Sequence, residues 1–238
     1  MDLVNRREEL EAGLAAVRAR IEAARSGAGR DGPHDPGVGL VVVTKFFPAS
    51  DVRLLVDLGV RDVGENRHQE AEAKAAECAD LDLVWHYIGA LQSNKAAAVA
   101  RYADVVESLD RPKLVRGLDR GAAERGRPLD VLVQVSLDPP GSQHRAGAAP
   151  DDVPALADAV EAAEHLRLRG LMAVAPLGEE PAAAFARLAA VRERLLADHP
   201  RADRLSAGMS GDLDEAVAAG ATHVRVGSAI LGSRPAVR

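Results

Sequence analysis

The chain has 238 residues, of which 47% are hydrophobic and 28% charged, so it is long enough to bury a substantial core. Aromatic residues make up only 3%, and the net charge is −6 with basic residues spread along the chain, which argues against nucleic acid as a partner. The single cysteine, Cys78, excludes an internal disulfide or thiolate metal cluster, and we predict no metal site. No stretch approaches the ~20 apolar residues of a membrane span and the charged start lacks a signal-peptide core, so we expect a cytoplasmic protein without a membrane partner.

The first segment is predicted to be a helix followed by a linker. Apolar residues recur at helical spacing through residues 3–25, which indicates an amphipathic helix within 1–26. The Gly/Pro-rich linker 27–39 contains a G-x-G-x-x-G pattern at Gly27, Gly29 and Gly32. We discount this match to the dinucleotide fingerprint, because the fingerprint requires a strand before it and a helix after it, whereas here a helix precedes and prolines follow.

From residue 40 to residue 232 the chain alternates between short β-branched runs and Ala-rich helical stretches, which is the pattern of βαβ units and a parallel sheet. Strands are predicted at 40–44, 62–64, 84–88, 104–107, 131–136, 166–172, 204–206 and 222–226. Helices are predicted at 50–58, 66–79, 93–101, 111–125, 151–163, 181–197 and 212–219, with a short last turn from 228.

This series of β/α units matches the lower size limit of a TIM (β/α)8 barrel, and an open doubly wound sheet is the alternative. Polar residues stand at the C-terminal ends of nearly all the predicted strands, where barrels place their sites, and this favours the barrel. We therefore predict an α/β fold in which residues 1–238 form a single TIM-barrel domain with an extra N-terminal helix.

The chain has four lysines, and they differ in context. Lys74 and Lys113 lie in helical stretches and are predicted to be solvated, while Lys95 opens a helix. Lys45 ends the first strand and shares a face with the two valines at positions 41 and 43, so we expect its amine at the mouth of the barrel. An amine buried there has a lowered pKa and is a better nucleophile toward an aldehyde, although an ordinary strand-end cation fits the same pattern.

Two later segments are predicted to hold a phosphate. Gly208–Asp212 follows the seventh strand, with Asp212 and Glu215 spaced like a capping box, and Arg225–Ser228 ends the eighth strand and opens a short helix. Glycines and hydroxyls at a helix start offer backbone N–H groups to a phosphate, and TIM barrels commonly bind phosphate after these two strands. The alternative is that both are ordinary turns. A phosphate site facing a nucleophilic lysine suggests a phosphorylated aldehyde held as a Schiff base.

The sequence also resembles a known family, the pyridoxal phosphate (PLP) homeostasis proteins. The motifs that carry the resemblance occur in the family's order: Val43–Pro48, Gly64–Glu70, Trp85–Lys95, Gly170–Met172, Leu205–Asp212 and Val224–Gly227. The resemblance implies that PLP forms a Schiff base with Lys45 and that Asn66 lines the ring pocket. It also implies that Ser210, Gly227 and Ser228 hold the phosphate and that Arg225 lies against the pyridine nitrogen. The barrel is similar to the N-terminal barrel of alanine racemases.

Three other residues are predicted to have structural roles, and one departs from the family pattern. Trp85 and His86 lie on opposite faces of the third strand, and His223 is expected to fill the barrel. Arg145 stands where the family often has a lysine, and it is a candidate cation near the cofactor.

The function implied by the resemblance is reversible PLP binding in vitamin B6 homeostasis, with no catalytic residue and no reaction of its own. We expect a monomer, with apo-PLP enzymes as acceptors. One rival is a PLP-dependent amino-acid racemase, which needs a second acid/base group opposite Lys45. The other is an aldolase-like barrel in which Lys45 attacks a sugar ketone.

Overall fold

The computed structural model describes residues 3–33, 35–139 and 147–233, and in these ranges eight parallel strands close into a barrel. Each strand pairs with its neighbours in chain order, and the first strand also pairs with the last. The predicted barrel is therefore confirmed over the open sheet. The strands are β1 Gly39–Val43, β2 Asp62–Glu65, β3 Val84–Tyr87, β4 Val105–Leu109, β5 Leu129–Gln134, β6 Leu166–Met172, β7 Arg204–Ser206 and β8 His223–Val226.

Helices connect the strands and cover the outside of the barrel. They are α1 Leu3–Gly27, α2 Ala49–Asp57, α3 His68–Glu77, α4 Ala96–Tyr102, α5 Val115–Arg125, α6 Val153–Glu161, α7 Pro181–Asp198, α8 Leu213–Ala218 and α9 Ser228–Leu231. Short 3₁₀ turns at Ser93–Lys95, Pro112–Leu114 and Pro150–Asp152 precede α4, α5 and α6. Within the described ranges, no helix is long and apolar enough to cross a membrane.

The observed elements differ from the predicted ones mainly at their ends. β4 extends to Leu109, two residues beyond its predicted end, and a register shift between Val106 and Leu109 sets Leu109 opposite Val133 of β5. The predicted helix 66–79 is shorter, and it begins at His68 because Arg67 still has an extended backbone. Such irregular pairings depend on neighbouring strands, so local patterns do not reveal them.

The N-terminal helix α1 packs along the side of the barrel against α8 and α9 and also touches α2. Its apolar stripe, which includes Leu10 and Leu14, joins a buried cluster with Val42 of β1 and Ile230 of α9. The approach to α9 is close at Gly13, where a Cβ atom would lie 2.9 Å from the carbonyl oxygen of Ile230. This helix therefore braces the side of the barrel on which β8 and α9 lie.

Candidate functional site

A cavity of about 310 Å³ opens at the C-terminal end of the barrel, at the edge formed by β1, β8 and the loop after β7. Five of the six predicted site residues line it together: Lys45, Ser210, Arg225, Gly227 and Ser228. Val43, Phe46, Phe47, Ile88 and Met209 supply apolar surface beside them. The chain thus combines one amine, one guanidinium, hydroxyls and glycine backbone in a single concave site.

Lys45 reaches the cavity because the side chains of β1 alternate. Val42 points outward into the cluster with α1, whereas Val41 and Val43 point inward, and a Cβ on Gly64 of β2 would lie 3.1 Å and 3.5 Å from their methyl carbons. Lys45 is half-buried, two residues beyond Val43, and it lines the cavity. This position agrees with the direction predicted from the alternation of the strand.

The residue after Lys45 has an unusual backbone conformation. Phe46 has φ of 72°, the only positive φ at a non-glycine position among the described residues. This left-handed conformation disfavours a bulky residue and typically costs ~1–3 kcal/mol. The Phe46 N–H donates to Glu70 Oε1 at 2.5 Å, so α3 holds the segment that carries Lys45 in this shape.

Lys74 supports the same segment from within α3, and the prediction that it is solvated is wrong. Its side chain is 5% exposed, and the ammonium donates to Glu65 Oε1 at 2.5 Å, to Glu70 Oε1 at 3.2 Å and to the Thr44 carbonyl at 2.9 Å. Burial raises the pKa of Glu65, while the charge of Lys74 opposes that rise. The spacing of Glu70 and Lys74 by four residues in an Ala-rich helix is a sequence signal for this pair, although it does not reveal burial.

The loop that carries Ser210 begins at Gly208, whose φ of 91° requires glycine and whose Cβ would lie 2.6 Å from Ala216. Asp212 shapes the loop by accepting the Met209 N–H at 2.6 Å, and it forms no side-chain cap on α8. The predicted capping box with Glu215 is therefore absent here. Arg20 of α1 donates to the Ser210 carbonyl at 2.6 Å, so the N-terminal helix holds this loop.

The second glycine segment lies where β8 leads into α9. A Cβ on Gly227 would be 3.0 Å from the Val43 carbonyl oxygen, so this position brings β8 close against β1. In α9, the backbone N–H groups of Ile230 and Leu231 donate to the Gly227 carbonyl. The N–H groups of Ser228 and Ala229 come before them, at the helix start, where backbone N–H groups have no partner within the helix. On α1, Arg6 donates to the Leu231 carbonyl at 3.1 Å and thus fixes the far end of α9.

Arg225 lies between the cavity and the interior of the barrel, and it is 4% exposed. Its guanidinium donates to Ser206 Oγ at 2.7 Å and to the Ala173 carbonyl at 2.9 Å. The Ser206 hydroxyl in turn donates to Glu107 Oε2 at 2.6 Å. Burial lowers the pKa of Arg225, and the charge of Glu107 opposes this effect.

The polar contacts continue from Glu107 through the barrel. His86 Nδ1 lies 2.7 Å from Glu107 Oε1, and His86 Nε2 lies 3.0 Å from Asp62 Oδ1. Burial opposes the charged form of His86, but hydrogen bonds to both carboxylates outweigh it and raise the His86 pKa to about 9. Burial likewise acts against the Glu107 carboxylate, yet His86 and Arg225 hold the pKa of Glu107 at about 2. Both groups are therefore charged at neutral pH.

Four other residues named from the sequence lie outside the lining of the cavity. Asn66 is half-buried after β2, and its Oδ1 is buried and has no hydrogen-bond partner among the described residues. Trp85 packs outward into the cluster with α1, and His86 is buried and hydrogen-bonded on the opposite face of β3, as their predicted opposite directions require. His223 is half-buried, and its ring contacts Thr222 at the start of β8. The fifth, Arg145, falls outside the described residues.

A larger groove, of about 550 Å³, opens at the other end of the barrel between α1 and the beginnings of β1 and β2. Arg18, Glu22, Arg61 and Asp62 supply its charged groups, and none of the predicted site residues lines it. Volume alone would favour this groove. The grouping of an amine with a buried guanidinium and glycine loops favours the smaller cavity as the functional site.

Comparisons with known proteins assign the chain to a fold family. The family model described as the alanine racemase N-terminal domain matches residues 14–235, and the chain belongs to this family. A chain of alanine racemase from Corynebacterium glutamicum shares the fold at a TM-score of 0.61 with 16% identity, over 98% of this chain and 63% of the racemase. The expected similarity to the racemase barrel is confirmed.

Relatives of higher sequence identity show the more specific family to which the chain belongs. The pyridoxal phosphate homeostasis protein of Pseudomonas aeruginosa is 46% identical over 221 residues, which cover 93% of this chain and 94% of the relative. PipY of Synechococcus elongatus, solved with PLP bound, is 38% identical with a TM-score of 0.80, over 94% of this chain and all of PipY. The chain belongs to the pyridoxal phosphate homeostasis protein family, as its motifs indicated.

Replacement of Lys74 tests the support of the Lys45 segment. We expect Lys74→Met to lower the free energy of unfolding by about 3–5 kcal/mol, because it leaves the buried Glu65 carboxylate without its cation. Urea unfolding measures the change. The double variant Glu65→Gln/Lys74→Met should recover much of the loss, and Lys113→Met, at an exposed lysine, should stay within about 0.5 kcal/mol of the parent. A parent-like Lys74→Met would contradict the buried ion pair.

The raised pKa of His86 predicts a pH dependence of stability. The folded protein keeps the His86 proton up to about pH 9, whereas an unfolded chain releases it near pH 6.5, so this contribution is complete below 6.5 and is lost as pH rises toward 9. Urea unfolding at several pH values should therefore give a parent–His86→Gln difference that shrinks over this window. His199→Gln, at the end of α7, is the control. A difference that is constant with pH would contradict the charged state of His86.

Proposed function

We propose that this protein binds PLP reversibly in the cavity at the mouth of the barrel and acts in PLP homeostasis. The observation that carries the proposal is the convergence of Lys45, Arg225 and the two glycine segments on one cavity. A relative that is 38% identical over nearly the whole chain was solved with PLP bound, which supports the same ligand here. The function implied by the sequence motifs agrees with the family of the chain.

The residues present fit the chemistry of PLP. A phosphate needs N–H and hydroxyl donors, and Ser210, Ser228 and the backbone at the start of α9 supply them beside Gly227, where the chain packs too closely for a side chain. Arg225 adds a positive charge that is desolvated and therefore strong. Apolar surface from Ile88 and Phe47 suits the faces of an aromatic ring.

Lys45 is proposed to hold the ligand covalently. When bound, PLP supplies an aldehyde carbon that condenses with a primary amine and releases water. In the described part of the chain, Lys45 is the only lysine that lines the cavity. The contacts of Glu70 and Lys74 with residues 44–46 fix the backbone on both sides of it, so the amine is positioned before the ligand arrives.

Arg225 is proposed to face the pyridine nitrogen, as the resemblance implies. A guanidinium stays charged and cannot accept a proton, so it disfavours a proton on that nitrogen. An aspartate there would instead favour the protonated ring that stabilises carbanions. At this position Arg225 would therefore weaken the ring as an electron sink.

The cavity also supports the proposal that the protein catalyses no reaction of its own. Racemisation needs acid/base groups on both faces of the substrate carbon, and the described lining contains no His, Tyr, Cys or carboxylate that could act opposite Lys45. Tyr87 and Tyr102 do not line the cavity, and burial raises the pKa of both phenols. The racemase alternative lacks its second group in this part of the chain.

Further parts of the proposal follow from the sequence. We propose that residues 1–238 act as one PLP-binding domain, monomeric and cytoplasmic, with apo-PLP enzymes as acceptors. Asn66 remains a proposed neighbour of the ring, because its buried Oδ1 lacks a partner among the described residues and lies after β2 at the same end of the barrel. The acidic net charge of −6 supports the absence of a nucleic-acid partner.

Loss of the proposed amine tests the attachment of PLP. The parent protein mixed with PLP should show the absorbance band of a lysine-linked cofactor, and Lys45→Ala should lose this band because no other amine lines the described cavity. Lys113→Ala, at an exposed lysine, should keep it. Borohydride reduction and mass spectrometry should locate a pyridoxyl group on Lys45. A band that persists in Lys45→Ala would contradict the assignment, and a trapped sugar phosphate would favour the aldolase-like alternative.

Proton exchange tests the absence of catalysis. With PLP-loaded protein in deuterated water, we expect alanine and serine to keep their α-protons at rates far below the ~1–10³ s⁻¹ of typical enzymes. NMR spectroscopy measures the exchange, with free PLP as the background control. Exchange at enzyme-like rates that Lys45→Ala abolishes would favour the racemase.

A further inference from the structure

A continuous series of polar side chains runs through the barrel from the candidate PLP cavity to the opposite end. Arg225 lines the cavity, Ser206 and Glu107 follow it, His86 comes next, and Asp62 closes the series with a side chain that is 40% exposed. Each consecutive pair of groups lies within 3.0 Å. Five strands contribute one group each, so the series exists only in the closed barrel.

Glu107 is the member of this series that needs an explanation. It is 1% exposed on β4, and the barrel interior is otherwise a favourable place for apolar side chains such as its neighbours Val105 and Leu132. A buried carboxylate is retained at a cost unless it is paired and hydrogen-bonded. Both oxygens of Glu107 are engaged, one by Ser206 and one by His86. Its carboxylate also lies 3.9 Å from the Arg225 guanidinium.

Arg225 in turn depends on Glu107 for charge balance. Among the described residues, its hydrogen-bond acceptors are a neutral hydroxyl and a neutral carbonyl, those of Ser206 and Ala173. The charges of Glu107 and Asp212 both act on the guanidinium. Among the residues that the structure describes, only Glu107 forms an ion pair with it. Without Glu107, the buried guanidinium would lose its ion pair and the stronger of its two interactions with negative charges.

We propose that Glu107 is a positioning residue for the PLP site. Through Ser206 it holds the Arg225 guanidinium toward the cavity, and its negative charge sets the net charge beside the proposed position of the pyridine ring. His86 supports this role because it hydrogen-bonds the Glu107 carboxylate, and Asp62 hydrogen-bonds His86 in turn. This inference rests on the proposed function, because it takes Arg225 to face the pyridine nitrogen of PLP. It goes further by giving a role to residues that do not line the cavity.

The charged and titratable groups around Glu107 come from several strands. Arg225 and His223 of β8 and His86 of β3 interact with the charge of Glu107. Asp62 of β2 acts on His86 and His223, and Arg204 of β7 also acts on His223. Burial lowers the pKa of His223, so this ring adds no positive charge near neutral pH. The balance near the cavity is therefore set chiefly by the cations Arg225 and His86 against the carboxylates Glu107 and Asp62.

The test compares the pH titration of the bound cofactor's absorbance in PLP-loaded parent and Glu107→Gln proteins. Glutamine keeps the shape but removes the negative charge, so protonation of the bound cofactor becomes harder beside Arg225. We expect the titration midpoint to move to lower pH by about 0.5–1 unit. Glu107→Asp keeps the charge and should restore the parent midpoint. Asp130→Asn removes a carboxylate of β5 that pairs with Arg169 of β6 and Arg204 of β7, and it should leave the midpoint unchanged.

A second variant covers the case in which Glu107→Gln does not fold. Ser206→Ala keeps every charge and removes only the hydroxyl that joins Arg225 to Glu107, so the PLP dissociation constant measured by equilibrium dialysis should rise about fivefold, the effect of one hydrogen bond. A Glu107→Gln midpoint equal to that of the parent, or an unchanged dissociation constant in Ser206→Ala, overturns the positioning role. Failure of the parent itself to bind PLP is a different result, which rejects the proposed function.

Discussion

The pairing of β1 with β8 is the constraint on which the candidate site depends. In this register Val41 lies opposite Arg225 and Val42 opposite Val226, so the first and last strands meet along one ladder of hydrogen bonds. Parallel strands place their C-terminal ends at the same edge, and Lys45 thereby reaches the segment that begins at Gly227. Gly227 permits the close contact, because any side chain there would meet the backbone of Val43.

The interior of this barrel is polar where it approaches the cavity, and that polarity has a cost. Arg225, Glu107 and His86 are each less than 5% exposed, and an isolated charge in such surroundings would be strongly disfavoured. The charges alternate in sign along the series, so each is stabilised by its neighbours. A rigid, fully bonded arrangement of this kind holds a guanidinium in one place more firmly than a solvated side chain could.

Support for the site also comes from outside the barrel. The helix α1 packs on α9 through Gly13, holds the end of α9 through Arg6 and holds the Ser210 loop through Arg20. The helix α3 holds the backbone around Lys45 through Glu70 and Lys74. The Ser210 and Lys45 segments are loops, and the second glycine segment is the short junction of β8 and α9. Such segments alone position side chains less precisely than the interiors of helices and strands. The two helices supply the rigidity that these loops lack.

Much of this organisation is determined by the sequence itself. The alternation of β-branched and Ala-rich segments identifies the β/α units, and strand parity directs Lys45 inward, because both depend on local periodicity. The tertiary structure decided which charged residues are buried and what they contact. In the sequence, Lys74 looks like a solvated helix lysine and Arg20 like the other arginines of its helix. In the structure, Lys74 contacts the Thr44 carbonyl and Arg20 contacts the Ser210 carbonyl. The series from Arg225 to Asp62 likewise joins residues that are far apart in the chain, so only closure of the barrel brings their charges together.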